Sequence, residues 1–582
     1  MENKDVARIF SEIADILELQ EGNPFRIRSF RRVAQIIENL PFSVAQAVTE
    51  EPDRLRAISG IGEGTISKLR EIAETGECKE YLELRDQIPA SLVTLLHLQN
   101  LGPKKIALLW KTLQISNLVE LEAAAKAEKL RQVPGLGEKS EAKILQAIEE
   151  FRNRQGRYRL DDGLGVSQSM VDYLKSSVEV KRIAAAGSVR RRCETIGDID
   201  VLVTCESPQE AIEAFCRHPD VGQVLAKGET KVSVLLRPGV QADLRVLDDN
   251  SFGAALQYFT GSKAHNVALR ERAKRMGCKI NEYGLFRARE EGADWEEKIA
   301  GQDEEEIYRL LGLAYIPPEL RENRGEIEKA EKDQLPRLVE RKDIRGDLHM
   351  HTTATDGKDS IEEMARAGEE AGYEYIAITD HSKALAMARG LDEKRLMLHI
   401  EEMDRISSSN PGITILKGIE VDILADGKLD LEDSTLAYLD VVIASIHSRF
   451  NMTRKEMTLR ICRAIENPHV NILAHPTGRL VVRREPYPLD MEQVIRTAVE
   501  SGVCLEINAY PARLDLSDIH CRTARDMGAL ISINSDSHNR SMLRYMEYGI
   551  YTARRGWLGP DDIINTYPLP RLRKVLKKEK YR

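Results

Sequence analysis

The repeat after residue 345 is the feature that most constrains what this chain folds into. Short apolar segments alternate there with helical ones, and the apolar segments read YEYIAITDH, ITILKGIEV, LDVVIASIH, VNILAHP, VCLEIN and ALISINSDSH. Strands that alternate with helices predict a parallel sheet, and this many repeats favours a barrel. Nearly every segment ends in His, Asp or Glu, and a barrel brings such strand ends together at one mouth. The repeat therefore predicts one polar site.

The side chains at these strand ends are of the types that bind metals. His349 and His351 are two positions apart in DLHMHTTATDG, so they share one face of a strand. The predicted ligands are His349, His351, Asp356, His381, Glu420, His447, His475, Asp536 and His538, with Asp380 beside them. Imidazoles with a few carboxylates suit Zn²⁺, Mn²⁺ or Fe²⁺ better than Mg²⁺ alone. One ion needs fewer ligands than this, so we expect two or three metals.

The remaining late histidines, His399, His469 and His520, lie on predicted helices or before strands. We interpret them as structural residues and not as ligands.

The ligand pattern resembles the PHP (polymerase and histidinol phosphatase) family of metal-dependent phosphoesterases over residues 345–575. The resemblance implies a distorted (β/α) barrel in which metals lower the pKa of bound water, producing a hydroxide that attacks phosphate. The resemblance also implies that such a domain acts as a 3′–5′ exonuclease on DNA, with cleavage at abasic sites as a further activity. The alternative is a barrel that serves only as an inert scaffold.

The segment AAGSVRRRCETIGDIDVLV combines a glycine turn with two carboxylates. Asp198 and Asp200 are at i and i+2 of a predicted strand, so they share one face about 6.6 Å apart. QADLRVL supplies Asp243 from a neighbouring strand. Three such carboxylates can hold two divalent metals, which polarise a phosphate, activate a hydroxyl and neutralise leaving pyrophosphate. The alternative is a degenerate, inactive sheet.

The glycine turn with these aspartates resembles the nucleotidyltransferases, and LQYFTGSKAHNVALRERAKRMGCKINEYGL narrows the resemblance to family X DNA polymerases such as DNA polymerase beta. The resemblance implies catalysis by Asp198, Asp200 and Asp243 with Mg²⁺ or Mn²⁺. The nucleotide-binding residues that it implies are Gly187, Ser188, Arg190, Tyr258, Phe259, Gly261, Asn266 and Arg270. Among these, Ser188 and Arg190 would hold the triphosphate.

The same resemblance assigns roles to individual residues of the motif LQYFTGSKAHNVALRERAKRMGCKINEYGL. Tyr258 and Phe259 would shape the sugar and base pocket, Asn266 would face the incoming base, and Arg270 would reach the template. The chain departs from DNA polymerase beta at Gln241, where that enzyme has an arginine.

SGIGEGTISKL, LQNLGPKKIALL and VPGLGEKSEAKIL repeat one pattern, a tight glycine turn followed by a helix. Glycines let a ligand approach the backbone closely, and free N–H groups at the start of a helix favour phosphate. The glycines predicted to contact DNA are Gly60, Gly62, Gly102, Gly135 and Gly137, while Asn100 replaces a glycine in the second copy. The pattern resembles the helix-hairpin-helix motif, which holds DNA backbone without reading bases. The alternative is three ordinary turns between helices.

The stretch NPFRIRSFRRVAQII gathers four arginines, of which Arg26 and Arg31 are the predicted DNA contacts. Beside a glycine turn they favour a phosphate pocket, although a solvated basic helix face is the alternative. The stretch resembles the small lyase domain of DNA polymerase beta. By that resemblance Lys68 is the catalytic lysine that forms a Schiff base with a sugar aldehyde, a chemistry that requires a lowered amine pKa. The alternative for Lys68 is an exposed helix lysine.

The chain is therefore expected to be multidomain: all-α helix-hairpin-helix domains, an α+β nucleotidyltransferase palm and thumb, and a carboxy-terminal barrel. The expected ranges are 1–90 (lyase-like), 91–158 (fingers-like), 159–250 (palm), 251–316 (nucleotide-selecting thumb), 317–344 (linker) and 345–575 (PHP domain).

Composition bears on location and partners. The net charge of −9 taken alone argues against a nucleic-acid binder, although local basic patches decide such binding. The eight cysteines form no CxxC pair, which suits a reducing cytosol. No signal-peptide pattern is present, and no apolar run reaches the roughly 18 residues of a membrane span. We therefore expect a cytoplasmic protein.

The order of the motifs matches that of the bacterial family X polymerases, which implies a DNA polymerase that fills gaps in base-excision-type repair. Its partners would be gapped or primer–template DNA and deoxynucleoside triphosphates, and we expect a monomer. Two alternatives stay open. One is a PHP-type phosphatase of small phosphate esters with a DNA-binding front half, and the other is a non-catalytic DNA-binding scaffold.

Overall fold

The computed structural model describes the chain except for residues 1–2, 21, 39–43, 51, 57, 59, 76–77, 86, 89–91, 93–94, 96–97, 99–100, 155–156, 238, 288–296, 410–411 and 578–582. Asn100, the departure noted in the second glycine turn, lies outside the described residues. The chain divides into two compact units, residues 1–155 and residues 156–582.

The first unit is helical throughout its described part. Its α-helices are Asn3–Leu19, Pro24–Glu38, Val44–Glu50, Pro52–Arg56, Glu63–Thr75, Lys79–Arg85, Pro103–Leu113, Leu118–Lys126 and Glu138–Arg154. Apolar residues three or four positions apart give each helix one buried face, as Ile66, Leu69 and Ile72 do. These faces join in a single apolar core, so the predicted helical region is confirmed.

The second unit begins with a two-stranded ribbon and a five-stranded sheet. In chain order the strands are β1 (Tyr158–Arg159), β2 (Val180–Ala185), β3 (Thr195–Ile196), β4 (Asp198–Cys205), β5 (Val221–Lys227), β6 (Lys231–Leu236) and β7 (Gln241–Val246). β1 pairs with β3, and the five-stranded sheet has the order β2-β4-β7-β6-β5. Within it, β4 and β7 are parallel and the other neighbours are antiparallel. The accompanying helices are Leu160–Ser177, Gly187–Arg190 and Pro208–Cys216.

A smaller mixed region follows the five-stranded sheet. Its helices are Phe252–Thr260, Lys263–Arg275, Glu304–Leu310 and Glu326–Glu331, and its strands are β8 (Cys278–Asn281), β9 (Gly284–Arg287) and β10 (Glu297–Ala300). The strands form an antiparallel sheet in the order β10-β9-β8. A fully buried His265 ties three helices together, with Nδ1 2.7 Å from Glu326 Oε1 and Nε2 3.0 Å from the Tyr308 hydroxyl.

The last part of the unit is a seven-stranded parallel sheet that is nearly closed into a barrel. Its strands, paired in chain order, are β11 (Gly346–Asp347), β12 (Tyr375–Ile378), β13 (Thr414–Asp422), β14 (Val441–Ser445), β15 (Ile472–Leu473), β16 (Cys504–Asn508) and β17 (Ile531–Asn534). Its helices are Ile361–Glu370, Glu393–Ser409, Asp433–Leu436, Arg454–Ile465, Met491–Ser501, Asp518–Asp526, Met546–Arg555 and Leu569–Leu576. A parallel bridge between Met350 and Ser537 links the segments that follow β11 and β17.

Burial explains why the barrel strands read as continuous apolar runs. Every residue of β12, β14, β16 and β17 is buried. Strands that are covered on both faces need apolar side chains at successive positions, without the alternation of a half-exposed strand. The predicted parallel barrel is confirmed.

None of the described helices combines the length and the apolarity that a membrane-crossing segment requires.

Candidate metal centres

The five-stranded sheet brings its three predicted aspartates together. Asp198 and Asp200 are two residues apart on β4, and the parallel register places Asp200 directly opposite Asp243 on β7. Asp243 is 9% exposed, whereas Asp198 is exposed at the end of its strand. The three carboxylates therefore lie together at one edge of the sheet, and solvent reaches them from the side of Asp198.

These carboxylates repel one another. Burial, together with the charges of Asp198 and Asp243, raises the pKa of Asp200 to about 7. Two polar neighbours lie on the β7 side: Gln241 Nε2 donates to Asp243 Oδ1 at 3.2 Å, and Lys231 Nζ lies 3.7 Å from Asp243 Oδ2. Oxygen-only ligand sets of this kind suit hard divalent cations, whose charge would relieve the repulsion.

The glycine loop (residues 187–194) lies directly on these carboxylates. Gly187 has a φ of +63°, and a Cβ built there would lie 2.7 Å from Asp200 Oδ2. The backbone N–H of Ala186 donates to the carbonyl of Asp200 at 2.9 Å. Only a residue without a side chain fits so close to the carboxylate in this backbone conformation.

Arg190, a predicted triphosphate ligand, makes an ion pair in this structure. Its guanidinium donates to both carboxylate oxygens of Glu304, at 2.8 and 2.6 Å, and to Thr260 Oγ1 at 2.6 Å. Burial opposes ionisation of Glu304, but Arg321 and Arg190 outweigh it and lower the pKa of Glu304 to about 2. Contact between Arg190 and a triphosphate stays a prediction, and it requires Arg190 to leave or share this pair.

Residues of the second nucleotide motif lie close to one another. Asn266 Nδ2 donates to the carbonyl of Tyr258 at 2.7 Å, and the guanidinium carbon of Arg270 lies 5.2 Å from the centre of the Tyr258 ring. The rings of Tyr258 and Phe259 meet edge to face with centres 5.0 Å apart. Gly261 follows their helix with a φ of +69°. Their roles toward a nucleotide stay predictions.

The barrel gathers its predicted ligands at the carboxyl ends of the strands. Three groups each bring one ligand atom per residue within 4.8 Å of one another: His351, Asp356, His381 and His538; His349, His351 and Asp536; and His381, Glu420 and His447. His475 joins them, since its Nε2 lies 3.1 Å from Glu420 Oε1. The structure therefore brings all the predicted ligands into one cluster, in which the groups share His351 and His381.

Several atoms of this cluster have converging lone pairs. His351 Nδ1, His381 Nδ1 and Glu420 Oε2 are buried, and none of the described residues meets the geometry of a hydrogen bond to them. His381 Nδ1 and Glu420 Oε2 lie 2.8 Å apart. Buried polar atoms are nearly always paired, and nitrogen and carboxylate atoms that point at one space are what a divalent metal binds. The residues therefore fit divalent metal ions.

The pKa values of two neighbouring histidines in the cluster are shifted in opposite directions. Burial and the neighbouring His381 and His538 lower the pKa of His351 to about 4. Burial opposes charge on His381 as well, but there the Glu420 carboxylate outweighs it and raises the pKa of His381 to about 10. A neutral imidazole such as that of His351 presents a free lone pair, which is the form that coordinates a metal.

Glu506 contacts a histidine of the ligand cluster, although it was not among the residues predicted from the sequence. It is fully buried on β16, and its Oε1 lies 2.8 Å from His349 Nδ1. The backbone N–H of His475 and Nδ2 of Asn534 also donate to Glu506, each at 2.8 Å. A carboxylate on the far nitrogen of a histidine ligand fixes its tautomer and its orientation. The only signal in the sequence was a glutamate inside the apolar strand VCLEIN.

Asp380 has a supporting place beside the cluster. It accepts hydrogen bonds from the backbone N–H and the hydroxyl of Thr352, at 2.9 and 2.7 Å. Its Oδ2 also lies 2.9 Å from His399 Nε2. Asp380 and His399 therefore brace the loop after β11, which agrees with the interpretation of His399 as structural.

In the first unit, the predicted catalytic lysine is partly exposed and paired. Lys68 Nζ lies 2.9 Å from Glu80 Oε2 and 3.3 Å from the carbonyl of Gly64. Arg26 pairs with the other oxygen of Glu80, and Arg31 lies 3.1 Å from Asp15 Oδ1. Phosphate binding by the two arginines and Schiff-base chemistry at Lys68 stay predictions.

Each predicted glycine turn leads into a helix of the first unit. The helices Glu63–Thr75, Pro103–Leu113 and Glu138–Arg154 start directly after Gly62, Gly102 and Gly137. In the part of the chain that the structure describes, no protein atom lies within 4 Å of a Cβ placed on any of these three glycines. Gly60 and Gly135, two residues earlier in the first and third turns, have φ values of +107° and +84°. The described residues therefore leave open space at Gly62, Gly102 and Gly137.

Models of known domains match most of the chain. Residues 1–78 match a helix-hairpin-helix domain, and residues 92–150 match a SAM-like helix-hairpin-helix tandem. Residues 255–322 match the DNA polymerase beta thumb, and residues 347–509 match the PHP domain.

Similar proteins differ in how much of the chain they cover. The protein named DNA polymerase/3′-5′ exonuclease PolX of Bacillus subtilis (strain 168) is 39% identical over 580 residues, which are 99% of this chain and 100% of that protein. A protein named "Probable phosphatase" of Thermoanaerobacter sp. (strain X514) is 29% identical over 245 residues, 40% of this chain and 95% of its own length. Another protein named "Probable phosphatase", from Acetivibrio thermocellus, is 33% identical over 202 residues, which are 33% of this chain and 78% of that protein.

Proposed function

Because the chain belongs to the family of the DNA polymerase/3′-5′ exonuclease PolX, we propose that it is a repair enzyme that fills short gaps in DNA and trims 3′ ends. The chain is a DNA-directed DNA polymerase with a PHP-domain exonuclease. Gap filling in base-excision-type repair is the finer assignment. It is supported by the combination of DNA-backbone motifs, thumb and PHP domain in one chain.

The observation that carries the polymerase assignment is the register that sets Asp200 opposite Asp243, with Asp198 on the same face. These carboxylates would hold Mg²⁺ or Mn²⁺, which supply charge neutralisation at the α-phosphate and activation of the primer 3′-hydroxyl. The glycine loop then holds the triphosphate through Gly187, Ser188 and its backbone. Deoxynucleoside triphosphates are the proposed substrates.

The base pocket is proposed to form around the second motif. Tyr258 and Phe259 present adjoining rings, and Asn266 is anchored on the carbonyl of Tyr258 at 2.7 Å. This anchoring orients the Asn266 side chain beside the space for a base. Arg270, stacked near Tyr258, extends the surface toward the template strand.

The barrel is proposed to hydrolyse phosphodiesters at 3′ ends, and also at abasic sites. Its nine clustered ligands would hold two or three ions of Mn²⁺, Zn²⁺ or Fe²⁺. Metals in such a set supply a hydroxide at neutral pH. Glu506 fixes the ring of His349, and Asp380 holds the loop that carries Asp356 through its bond with Thr355.

The first unit is proposed to grip DNA backbone without reading sequence. Gly60, Gly62, Gly102, Gly135 and Gly137 would leave helix N–H groups accessible to phosphates. Arg26 and Arg31 would add positive charge, and Lys68 would attack the aldehyde of an abasic sugar. The protein is proposed to act as a monomer in the cytoplasm.

A second candidate function concerns the barrel alone. Relatives named "Probable phosphatase" match 40% and 33% of this chain, over 245 and 202 residues, which are lengths close to that of the barrel. This favours hydrolysis of small phosphate monoesters as an alternative activity of the same metal cluster.

The test is a one-nucleotide-gapped duplex with a labelled primer, incubated with and without nucleotides and with and without Mn²⁺. We expect one nucleotide to be added when nucleotides are present, and the 3′ end to be shortened when they are absent. A protein that does neither, but releases phosphate from p-nitrophenyl phosphate without DNA, would replace this proposal with the phosphatase.

A further inference from the structure

A cluster of alternating charges joins the glycine loop to a helix of the barrel. Arg555, the last residue of the helix Met546–Arg555, is only 8% exposed. Its NH1 group donates to the backbone carbonyl of Arg191 at 2.9 Å and to Glu322 Oε1 at 3.0 Å. Its NH2 group donates to Asp518 Oδ2 at 2.9 Å. One guanidinium of the barrel therefore binds the backbone of the glycine loop directly.

The charges on both sides of Arg555 are themselves paired. Arg191 Nε donates to the same oxygen of Glu322 at 3.0 Å, and Arg324 NH1 lies 2.9 Å from the same oxygen of Asp518. Although burial opposes ionisation, the guanidiniums hold the pKa of Glu322 and of Asp518 below the ordinary values. Arg191, Glu322, Arg555, Asp518 and Arg324 thus form a row of opposite charges. Removing Arg555 would leave Glu322 paired with Arg191 and Asp518 paired with Arg324, but it would break the connection between these two pairs.

The end of the glycine loop has a second attachment to the barrel. Glu194 Oε2 accepts from Arg479 NH2 at 2.7 Å, and Arg479 Nε in turn donates to the carbonyl of Arg513 at 3.2 Å. Between the two attachments, the guanidinium carbon of Arg192 lies 4.5 Å from the centre of the Tyr551 ring. Residues 191–194 are therefore held along their length by the barrel.

The start of the same loop lies at the carboxylate site, so its position depends on these attachments. The backbone N–H of Cys193 donates to the carbonyl of Ser188 at 3.0 Å, which closes residues 188–193 into one turn. Gly187, one residue earlier, leaves no space for a Cβ against Asp200. We therefore expect a displacement of Arg191 to move Ser188 and the edge of the carboxylate site.

We propose that Arg555, a residue of the phosphoesterase barrel, is a positioning residue for the triphosphate at the polymerase site. It acts through the carbonyl of Arg191 and through Glu322, and it does not touch the nucleotide. The inference rests on the proposed function, because it takes the glycine loop as the triphosphate site. The exonuclease domain thereby supplies part of the frame of the polymerase site.

The test compares Arg555→Gln with Arg554→Gln in the full chain. Arg554, the adjacent residue, donates to Glu319 Oε1 at 2.7 Å and to the carbonyl of Val339 at 3.1 Å, and neither partner belongs to the glycine loop. Both variants lose one guanidinium; Arg555→Gln loses its ion pairs with Glu322 and Asp518, and Arg554→Gln loses its ion pair with Glu319. Because small displacements of a binding group have large effects on rate, Arg555→Gln should raise the KM for the nucleotide about tenfold relative to Arg554→Gln. The KM for DNA and the rate of 3′ digestion should be the same in the two variants.

Arg555→Lys separates positioning from simple attachment by charge. A lysine keeps the positive charge but cannot reproduce a planar fork that binds three acceptors. We expect it to restore the thermal stability of the wild type while leaving the nucleotide KM raised. A role limited to joining the domains predicts that lysine restores both.

Equal nucleotide KM values in Arg555→Gln and Arg554→Gln would overturn the proposal. If Arg555→Gln loses extension and digestion together, Asp518→Asn decides: a raised nucleotide KM with normal digestion supports the proposal, and an unchanged KM rejects it. Wild-type protein that fails to extend the primer would reject the proposed function itself, which is a different result from wild-type extension with no effect of the variants.

Discussion

In the barrel, imidazoles and carboxylates lie in contact with one another, whereas the five-stranded sheet brings together three carboxylates, with Lys231 3.7 Å from Asp243 Oδ2. His381 Nδ1 is 2.8 Å from Glu420 Oε2, so unlike groups attract and help to hold the cluster. Asp200 instead is buried beside Asp198 and Asp243, and its pKa is raised to about 7. Contacts between the side chains of the barrel therefore help to hold its ligands together. The carboxylates of the sheet repel one another, so bound cations would stabilise them most.

The largest expected effect follows from removing one of those few carboxylates. Asp198→Ala should lower primer extension by about a thousandfold or more, because no other side chain replaces the lost ligand. Digestion of single-stranded DNA should be unchanged, since the barrel has its own ligands. The measurement is extension and digestion of the same labelled primer. Normal extension by Asp198→Ala would show that the sheet is not the polymerase site.

The reciprocal change should affect only digestion. His349→Ala removes a ligand that lies in one of the barrel groups and is oriented by Glu506. We expect digestion of single-stranded DNA to fall by about a hundredfold, with extension intact. Loss of both activities in His349→Ala, with a normal melting temperature, would mean that the two sites are not independent.

A smaller effect is expected from Glu506→Gln, which keeps the shape of the side chain but removes its charge. The amide holds His349 less firmly, so the Mn²⁺ concentration for half-maximal digestion should rise about tenfold to a hundredfold. Glu402→Gln, on an exposed face of the helix Glu393–Ser409, is the matched control and should behave as the wild type. If the two variants show the same Mn²⁺ dependence, the orienting role of Glu506 is wrong.

The smallest effect concerns the glycine loop. Gly187→Ala places a Cβ 2.7 Å from Asp200 Oδ2 at a φ of +63°. A left-handed conformation costs an alanine about 1–2 kcal/mol, which corresponds to roughly tenfold in extension efficiency. Single-nucleotide extension kinetics measure this loss, and Gly165→Ala, at a glycine with open space around it, is the control. An unchanged rate in Gly187→Ala would show that the loop adjusts freely.

The barrel and its ligands could be predicted from the sequence because most of the ligands lie at or just after the ends of apolar strands, where a parallel barrel brings side chains together. Asp243 was predicted because it lies within an apolar strand of the kind that can pair with the strand of Asp198 and Asp200. The partners of Arg190 and His349 could not be predicted, because Glu304 and Glu506 are 114 and 157 residues away along the chain. Such contacts depend on how whole regions pack, which local patterns do not encode.

The closing of the barrel has a consequence for the order of synthesis. The backbone N–H of His351 donates to the carbonyl of Ser537 at 2.8 Å, so the first ligand strand is bound to the last. A nascent chain on the ribosome contains β4 and β7 with all their aspartates long before Asp536 and His538 have been made. A polypeptide cut short before Asp536 lacks both Asp536 and His538, so it would contain the three aspartates of the sheet but not the complete ligand cluster of the barrel.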